Sequence, residues 1–148
     1  MAEDNNKSNS RPQLRVRRIS LDTGRENVVV ISRHSSALRP DVFRGFSRVE
    51  LQRGTKVLLA TLLITDDDPA FRETLRSVFQ PHFKTREASC GEEAIEIIEH
   101  ESVDLVLLDM HMHLLTGLET LRIVKTIKAF LPCIIITADA TDELRREA

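Results

Sequence analysis

The sequence predicts an α/β protein: a doubly wound parallel sheet of about four strands, incomplete at one edge, preceded by a small mostly-β segment. Three observations point there. From residue 57 onward, apolar runs of five to seven residues alternate with segments of helical period, the rhythm of repeated β–α units. Those runs are apolar at nearly every position, so the strands are covered on both faces and run parallel. Before residue 57 the rhythm is different, with short β-rich stretches set between turn residues.

Element by element, "MAEDNNKSNS" opens the chain without an apolar core, and residues 1–12 are expected to be a disordered tail. "LRVRRISL" (14–21) alternates apolar and polar residues, "DTGREN" (22–27) has turn chemistry, and "VVVI" (28–31) is β-branched, so the three read as a hairpin. Pro40 and Gly45 interrupt the chain near Phe43 and Phe46. A strand at 48–51, a turn "QRGT" and a long apolar strand "KVLLATLLIT" (56–65) follow. Ala70, Phe71, Leu75, Val78 and Phe79 then mark one helix face, Ala94, Ile95 and Ile98 a second, and Leu118, Leu121, Val124 and Ile127 a third. Ser89 with Glu92 fits a capping box for the second helix. Strands are expected near 84–88, at 103–109 and at 132–137.

Composition narrows the function. With 41% apolar and 30% charged residues, the chain has the make-up of a globular protein, and no apolar run reaches the roughly 20 residues that span a bilayer. A cytoplasmic location and no membrane partner are expected. Cys90 and Cys133 lie far apart with no CxxC spacing, so a disulfide framework or a cysteine zinc site has little support. Charge is uneven. Residues 1–56 carry 12 Lys and Arg against 6 Asp and Glu, a net +6, whereas residues 57–148 carry 9 against 17, a net −8. Two pieces of different origin fit that split. The basic part intersperses acids among its arginines, and the chain has neither Trp nor Tyr to stack on bases, so direct nucleic-acid binding is not expected.

Chemistry in such a sheet gathers at the carboxyl ends of its strands. "TDDDP" (65–69) ends one strand, Asp109 another and Thr137 a third. Adjacent strands would bring Asp66, Asp67 and Asp109 together, and three crowded carboxylates either take up protons or share a cation. Oxygen ligands without cysteine favour Mg²⁺. Beside such an ion, Asp109 could attack a phosphoryl group while Thr137 donates a hydrogen bond to one of its oxygens. His111 and His113 offer a rival HxH zinc reading, but His34, His82 and His100 form no cluster with them.

Three stretches carry a resemblance: "LLITDDDPAFRETLRSVF", "ASCGEEAIEIIEHESVDLVLLDMHMHLLTGLETLRIVK" and "PCIIITADAT". In that order, over residues 57–148, they resemble the receiver domain of two-component response regulators. The acidic pair after the first strand, a lone Asp 42 positions beyond Asp67, and a Thr-Ala ending the fourth strand are its specific marks. The resemblance implies a flavodoxin-like fold, Asp109 as phospho-acceptor, and Asp66 and Asp67 as Mg²⁺ ligands together with Asp109. It also implies a backbone metal ligand in the carbonyl of His111, a switch hydroxyl in Thr137, a solvent-facing neighbour in Asp68 and the start of the third helix in Gly117. His113 stands where the family usually has Pro.

The family pattern breaks off after Thr137. A fifth strand, whose terminal Lys-Pro pair brings an ammonium to the phosphoryl group, is expected to be missing; the last lysine is Lys128, and Arg145 and Arg146 fall at the start of a fourth helix. Four strands leave an exposed sheet edge, an invitation to self-association. The expectation is therefore a receiver truncated at 57–148, with a Lys-Pro about twenty residues on in any longer reading frame.

A second resemblance covers about residues 13–65. "DTGRENV" and "FSRVEL…LLATL" are similar to the N-terminal β domain of the thymidine phosphorylase and AMP phosphorylase family, whose nucleoside and phosphate contacts lie in later domains. No phosphorylase activity is implied. The two resemblances overlap at "VLLATLLITDD", the expected junction of a fusion.

The leading function is that of a non-enzymatic phosphorelay receiver, taking a phosphoryl group from the phosphohistidine of a sensor histidine kinase or histidine phosphotransfer protein. Two rivals remain open at this point: an interaction module independent of phosphorylation, and a non-catalytic N-terminal fragment of a nucleoside phosphorylase that self-associates.

Overall fold

Residues 17–18, 28–33 and 59–138 are described by a computed structural model. The expected tail at 1–12, the strand at 48–51, most of the 13–56 segment and the residues from 139 on, including Arg145 and Arg146, lie outside them.

In chain order the elements are β1 (Arg17–Arg18), β2 (Val28–Ser32), β3 (Thr61–Thr65), α1 (Pro69–Phe79), β4 (Lys84–Ala88), α2 (Gly91–His100), β5 (Leu105–Asp109), α3 (Gly117–Ile127) and β6 (Cys133–Thr137). They build one sheet in the order β1-β2-β6-β5-β3-β4, in which β2, β6, β5, β3 and β4 are parallel and β1 is antiparallel to β2.

This corrects the expectation of about four strands with an open edge. The edge of β6 is occupied by β2, paired from Val28 opposite Cys133 to Ser32 opposite Thr137. The "VVVI" run does pair with the stretch before it, Arg17 opposite Val30, yet it also inserts into the main sheet. Its side chains explain why. Val30 is buried in one core cluster and Ile31 in the other, so β2 is covered on both faces like an inner parallel strand. A strand that needed to cover only one face of a hairpin would alternate apolar with polar residues instead.

The two clusters are the two faces of the sheet. On one, Leu63, Val106, Leu108 and Ile135 meet Ala94 and Ile98 of α2 and Leu121 and Val124 of α3. On the other, Leu62, Ile64, Leu105, Leu107, Ile134 and Ile136 meet Leu75 and Phe79 of α1, with Phe83 set edge-on against Phe79. Burying each such side chain contributes about 1.5–3 kcal/mol, which is ample to fix the strand ends in relative position.

Caps set the helix starts. Asp68 accepts from the amides of Ala70 and Phe71, with Pro69 in the first turn. Thr116 and Glu119 form a reciprocal capping box on α3. At α2 the expected pairing shifts by one residue: Cys90 is the N-cap, and Glu93 rather than Glu92 accepts from the amide and hydroxyl of Ser89.

Candidate functional site

Parallel strands expose the same end of every ladder, so their terminal residues share one rim. Thr65 lies opposite Leu108, and Asp109 opposite Ile136. One step beyond the first pair brings Asp66 beside Asp109, and one step beyond the second reaches Thr137. Asp66, Asp109 and Thr137 are all buried, at 1%, 2% and 1% exposure. Asp67 is half-buried next to them. Carboxylate oxygens of Asp66, Asp67 and Asp109 lie within 4.8 Å of one another.

Such crowding has an electrostatic cost. Burial, and then the charge of Asp66, push the Asp109 carboxyl up to about 6, against the opposing pull of Arg33 and His111. Asp66 is also raised, chiefly by burial, although the Asp68 amide donates to its Oδ1 at 2.8 Å and the Arg33 guanidinium approaches its Oδ2 at 3.4 Å. Arg72 donates to the Asp66 carbonyl at 2.6 Å and fixes the turn from behind. Both raised groups lack enough positive charge.

The donor set fits a divalent ion. Three carboxylates present hard oxygen donors, and Asp109 Oδ2 is buried with no hydrogen-bond partner among the described residues. An orphaned buried oxygen costs about 1–3 kcal/mol, and a cation at the shared point removes that cost.

The loop after Asp109 is held close. The amide of Gly117 donates to the Met110 carbonyl at 3.0 Å, and a Cβ on Gly117 would lie 2.3 Å from the Asp109 carbonyl oxygen. Only glycine allows α3 to begin there. The loop itself carries an exposed Leu114 at φ 69, a left-handed conformation in a non-glycine residue. His113 turns its Nδ1 onto the Asp67 carboxylate.

The structure therefore brings Asp66, Asp67, Asp109 and Thr137 together. The imidazole of His111 is exposed, two residues after Asp109. Among the described residues the histidines at 111 and 113 do not gather with others into a zinc cluster, and the metal-competent group found there is the carboxylate triad. Cys133 is buried, its thiol pushed up to about 11 by burial, and Cys90 is half-buried.

Two contacts were not read from the sequence, His113 with Asp67 and Arg33 with Asp66. The second had a signal. Arg33 follows an apolar run that ends in a polar residue, as Asp66 does, and its amide donates to the Thr137 carbonyl at 2.8 Å.

Comparison with known proteins follows the same lines. The family model for the response regulator receiver domain matches residues 62–148. Sporulation initiation phosphotransferase F of Bacillus subtilis is 38% identical over 78 residues, 52% of this chain and 63% of that protein. Among solved structures, the receiver domain of the Francisella response regulator 1452 superposes with a TM-score of 0.55 at 27% identity, covering 60% of this chain and 74% of that one. The N-terminal domain of a response regulator receiver protein from Methanoculleus marisnigri gives 0.54 at 33% identity, covering 59% and 74%. A different relative, named "Putative thymidine phosphorylase" in Rhodopseudomonas palustris, is 48% identical over 124 residues, 82% of this chain but 24% of that protein. This chain thus spans about a quarter of that relative's length. No helix among the described residues is long and apolar enough to cross a membrane. With its five parallel strands, its acidic rim and the match over residues 62–148, the chain belongs to the response regulator receiver family.

Proposed function

We propose that this chain is a phosphorelay receiver in which Asp109 accepts a phosphoryl group from the phosphohistidine of a sensor histidine kinase or histidine phosphotransfer protein. One observation carries the reading: Asp66, Asp67 and Asp109 converge on one point while Asp109 Oδ2 is buried without a partner. In the transfer, a carboxylate oxygen of Asp109 forms a bond to phosphorus, the P–N bond breaks, and its electron pair stays on the donor imidazole. An acyl phosphate results.

The chain's own groups suit that step. With its carboxyl at about 6, Asp109 is mostly ionised at neutral pH and available as a nucleophile. Thr137, which ends the neighbouring strand, is the proposed hydroxyl donor to a phosphoryl oxygen. Asp66, Asp67, Asp109 and the carbonyl of His111 are the proposed Mg²⁺ ligands. The bound ion would offset charge gathering on the transferred oxygens. The protein acts as acceptor and signal carrier in the cytoplasm rather than as an enzyme on an external substrate.

The test uses acetyl phosphate as a small phosphodonor. With magnesium present, the wild-type chain gains one acid-labile phosphoryl group; chelation of the metal or Asp109→Asn abolishes it. Wild type that stays unlabelled, or an Asn variant that labels equally well, removes the reading. The phosphorylase relatives support a second one, a non-catalytic self-associating module. It predicts oligomers whose stability is unchanged by magnesium or by Asp109→Asn in analytical ultracentrifugation.

A further inference from the structure

We propose that Arg33 is the phosphoryl-binding cation of this site, carried to it by β2 from the segment that precedes the receiver core. The inference rests on the acceptor role of Asp109 proposed above.

Backbone geometry comes first. Ser32 is paired with Thr137, and the Arg33 amide donates to the Thr137 carbonyl at 2.8 Å. The residue is thereby pinned on the same rim as Asp66 and Asp109. From there its guanidinium reaches Asp66 Oδ2 at 3.4 Å and Asp68 Oδ2 at 3.7 Å, lying 4.0 Å over the Phe71 ring. Stacking on an aromatic face while keeping donors free is a property of guanidinium rather than ammonium. Both carboxylate contacts are long, and the side chain is 27% exposed. It is held near the cluster without being locked onto one partner.

Charge shows what it is for. Phosphorylated Asp109 carries about two negative charges, with Asp66 and Asp67 adding one each. A divalent ion offsets half of that sum. Arg33 is already close enough for its charge to act on Asp109 as well as on Asp66. Arg72, the other guanidinium at the turn, is committed to the Asp66 carbonyl at 2.6 Å and faces Glu87 at 3.9 Å. Its contact with Asp66 is long, and the planar fork of Arg33 can leave it for two phosphoryl oxygens while the backbone stays pinned to Thr137. A strand from outside the matched receiver region, which starts at residue 62, thereby brings a cation to the acidic rim.

The experiment measures two affinities on the full chain, for Mg²⁺ alone and for beryllofluoride, a phosphoryl mimic, in saturating Mg²⁺. Removing the cation beside Asp66 and keeping the fold has opposite effects on the two. Arg33→Ala is expected to weaken beryllofluoride roughly tenfold or more, since charge-assisted bonds are about twice as strong as neutral ones, while Mg²⁺ affinity stays equal or tightens. Arg33→Lys, which keeps the charge but not the fork or the ring stacking, should recover part of the beryllofluoride affinity. Arg33→Ala binding the mimic as well as wild type, in a wild type that does accept phosphate from acetyl phosphate, overturns the Arg33 role alone. Parallel loss of both affinities with no recovery in Arg33→Lys assigns Arg33 a merely structural role and also overturns it. Wild type that neither labels nor binds beryllofluoride overturns the acceptor reading and this inference together.

Discussion

Asp109 is a carboxylate that the fold holds against its own preference. In the unfolded chain it ionises near 3.8; in the folded one burial and Asp66 hold it up to about 6. Below the first value it is protonated in both states and costs nothing. As pH rises between the two, the unfolded chain releases the proton first, so this residue's contribution to stability falls and stays low above the second. Asparagine has the same shape without the charge. In metal-free buffer, Asp109→Asn should stabilise the protein by about 1–3 kcal/mol near pH 7.5 and by little near pH 4. Added magnesium should stabilise wild type at the higher pH by mass action and leave the variant nearly unmoved. Thermal melts at the two pH values check this; an equal gain at both would mean that charge repulsion at Asp109 is not what the substitution relieves. The acidic residues were legible because each ends an apolar run, where a polar side chain has no reason to sit unless the strand tip is used. Arg33 ends one too, but "VVVIS" sits beside "LRVRRISL", and the local turn between them gave the run a sufficient explanation as a hairpin.

At the scale of elements, pattern fixed type well and junctions less well. The face Leu75–Phe79 of α1, the pair Ala94 and Ile98 of α2, and Leu121 with Val124 of α3 are buried as their spacing requires, whereas Ile127 at the end of α3 is 39% exposed. The capping pair of α2 moved by one position because Cys90, not Ser89, takes the cap conformation, and this puts Glu93 at the third helical residue. Tertiary contact decides such details. At α3 the decisive contact is Gly117, because a Cβ there would lie 2.3 Å from the Asp109 carbonyl oxygen. Gly117→Ala must push α3 off β5 or twist the Asp109 peptide. Overpacking of this kind costs about 1–3 kcal/mol, and here it also displaces the backbone that presents Asp109. Urea unfolding should show the lost stability, and a magnesium titration a weaker site. A variant that is less stable but binds the metal as tightly as wild type would separate the helix start from the site.

Across the whole molecule, the pairing that matters joins Val28–Ser32 to Cys133–Thr137, segments at opposite ends of the described chain. No local period encodes such a partner; it is selected by the unsatisfied edge of β6 and by apolar surface on both faces of the sheet, which is why the expected open edge was filled by a strand assigned elsewhere. The far edge, β4, needs no partner, since Lys84, Arg86 and Glu87 place charge along a strand that is largely exposed. Removing β2 from the ladder should therefore return the molecule to the aggregation-prone sheet that its core alone would make. Val29 lies opposite Ile134 in the middle of the pair. Val29→Pro deletes a backbone donor and fixes φ in a strand paired on both sides, where proline removes a ladder hydrogen bond. Hydrogen exchange should accelerate through Cys133–Thr137, and light scattering should show concentration-dependent association beyond that of wild type. Acceleration without association would mean that something else shields the freed edge; unchanged exchange in β6 would mean that β2 is not what closes the sheet, and Arg33 would then have no anchor at the rim.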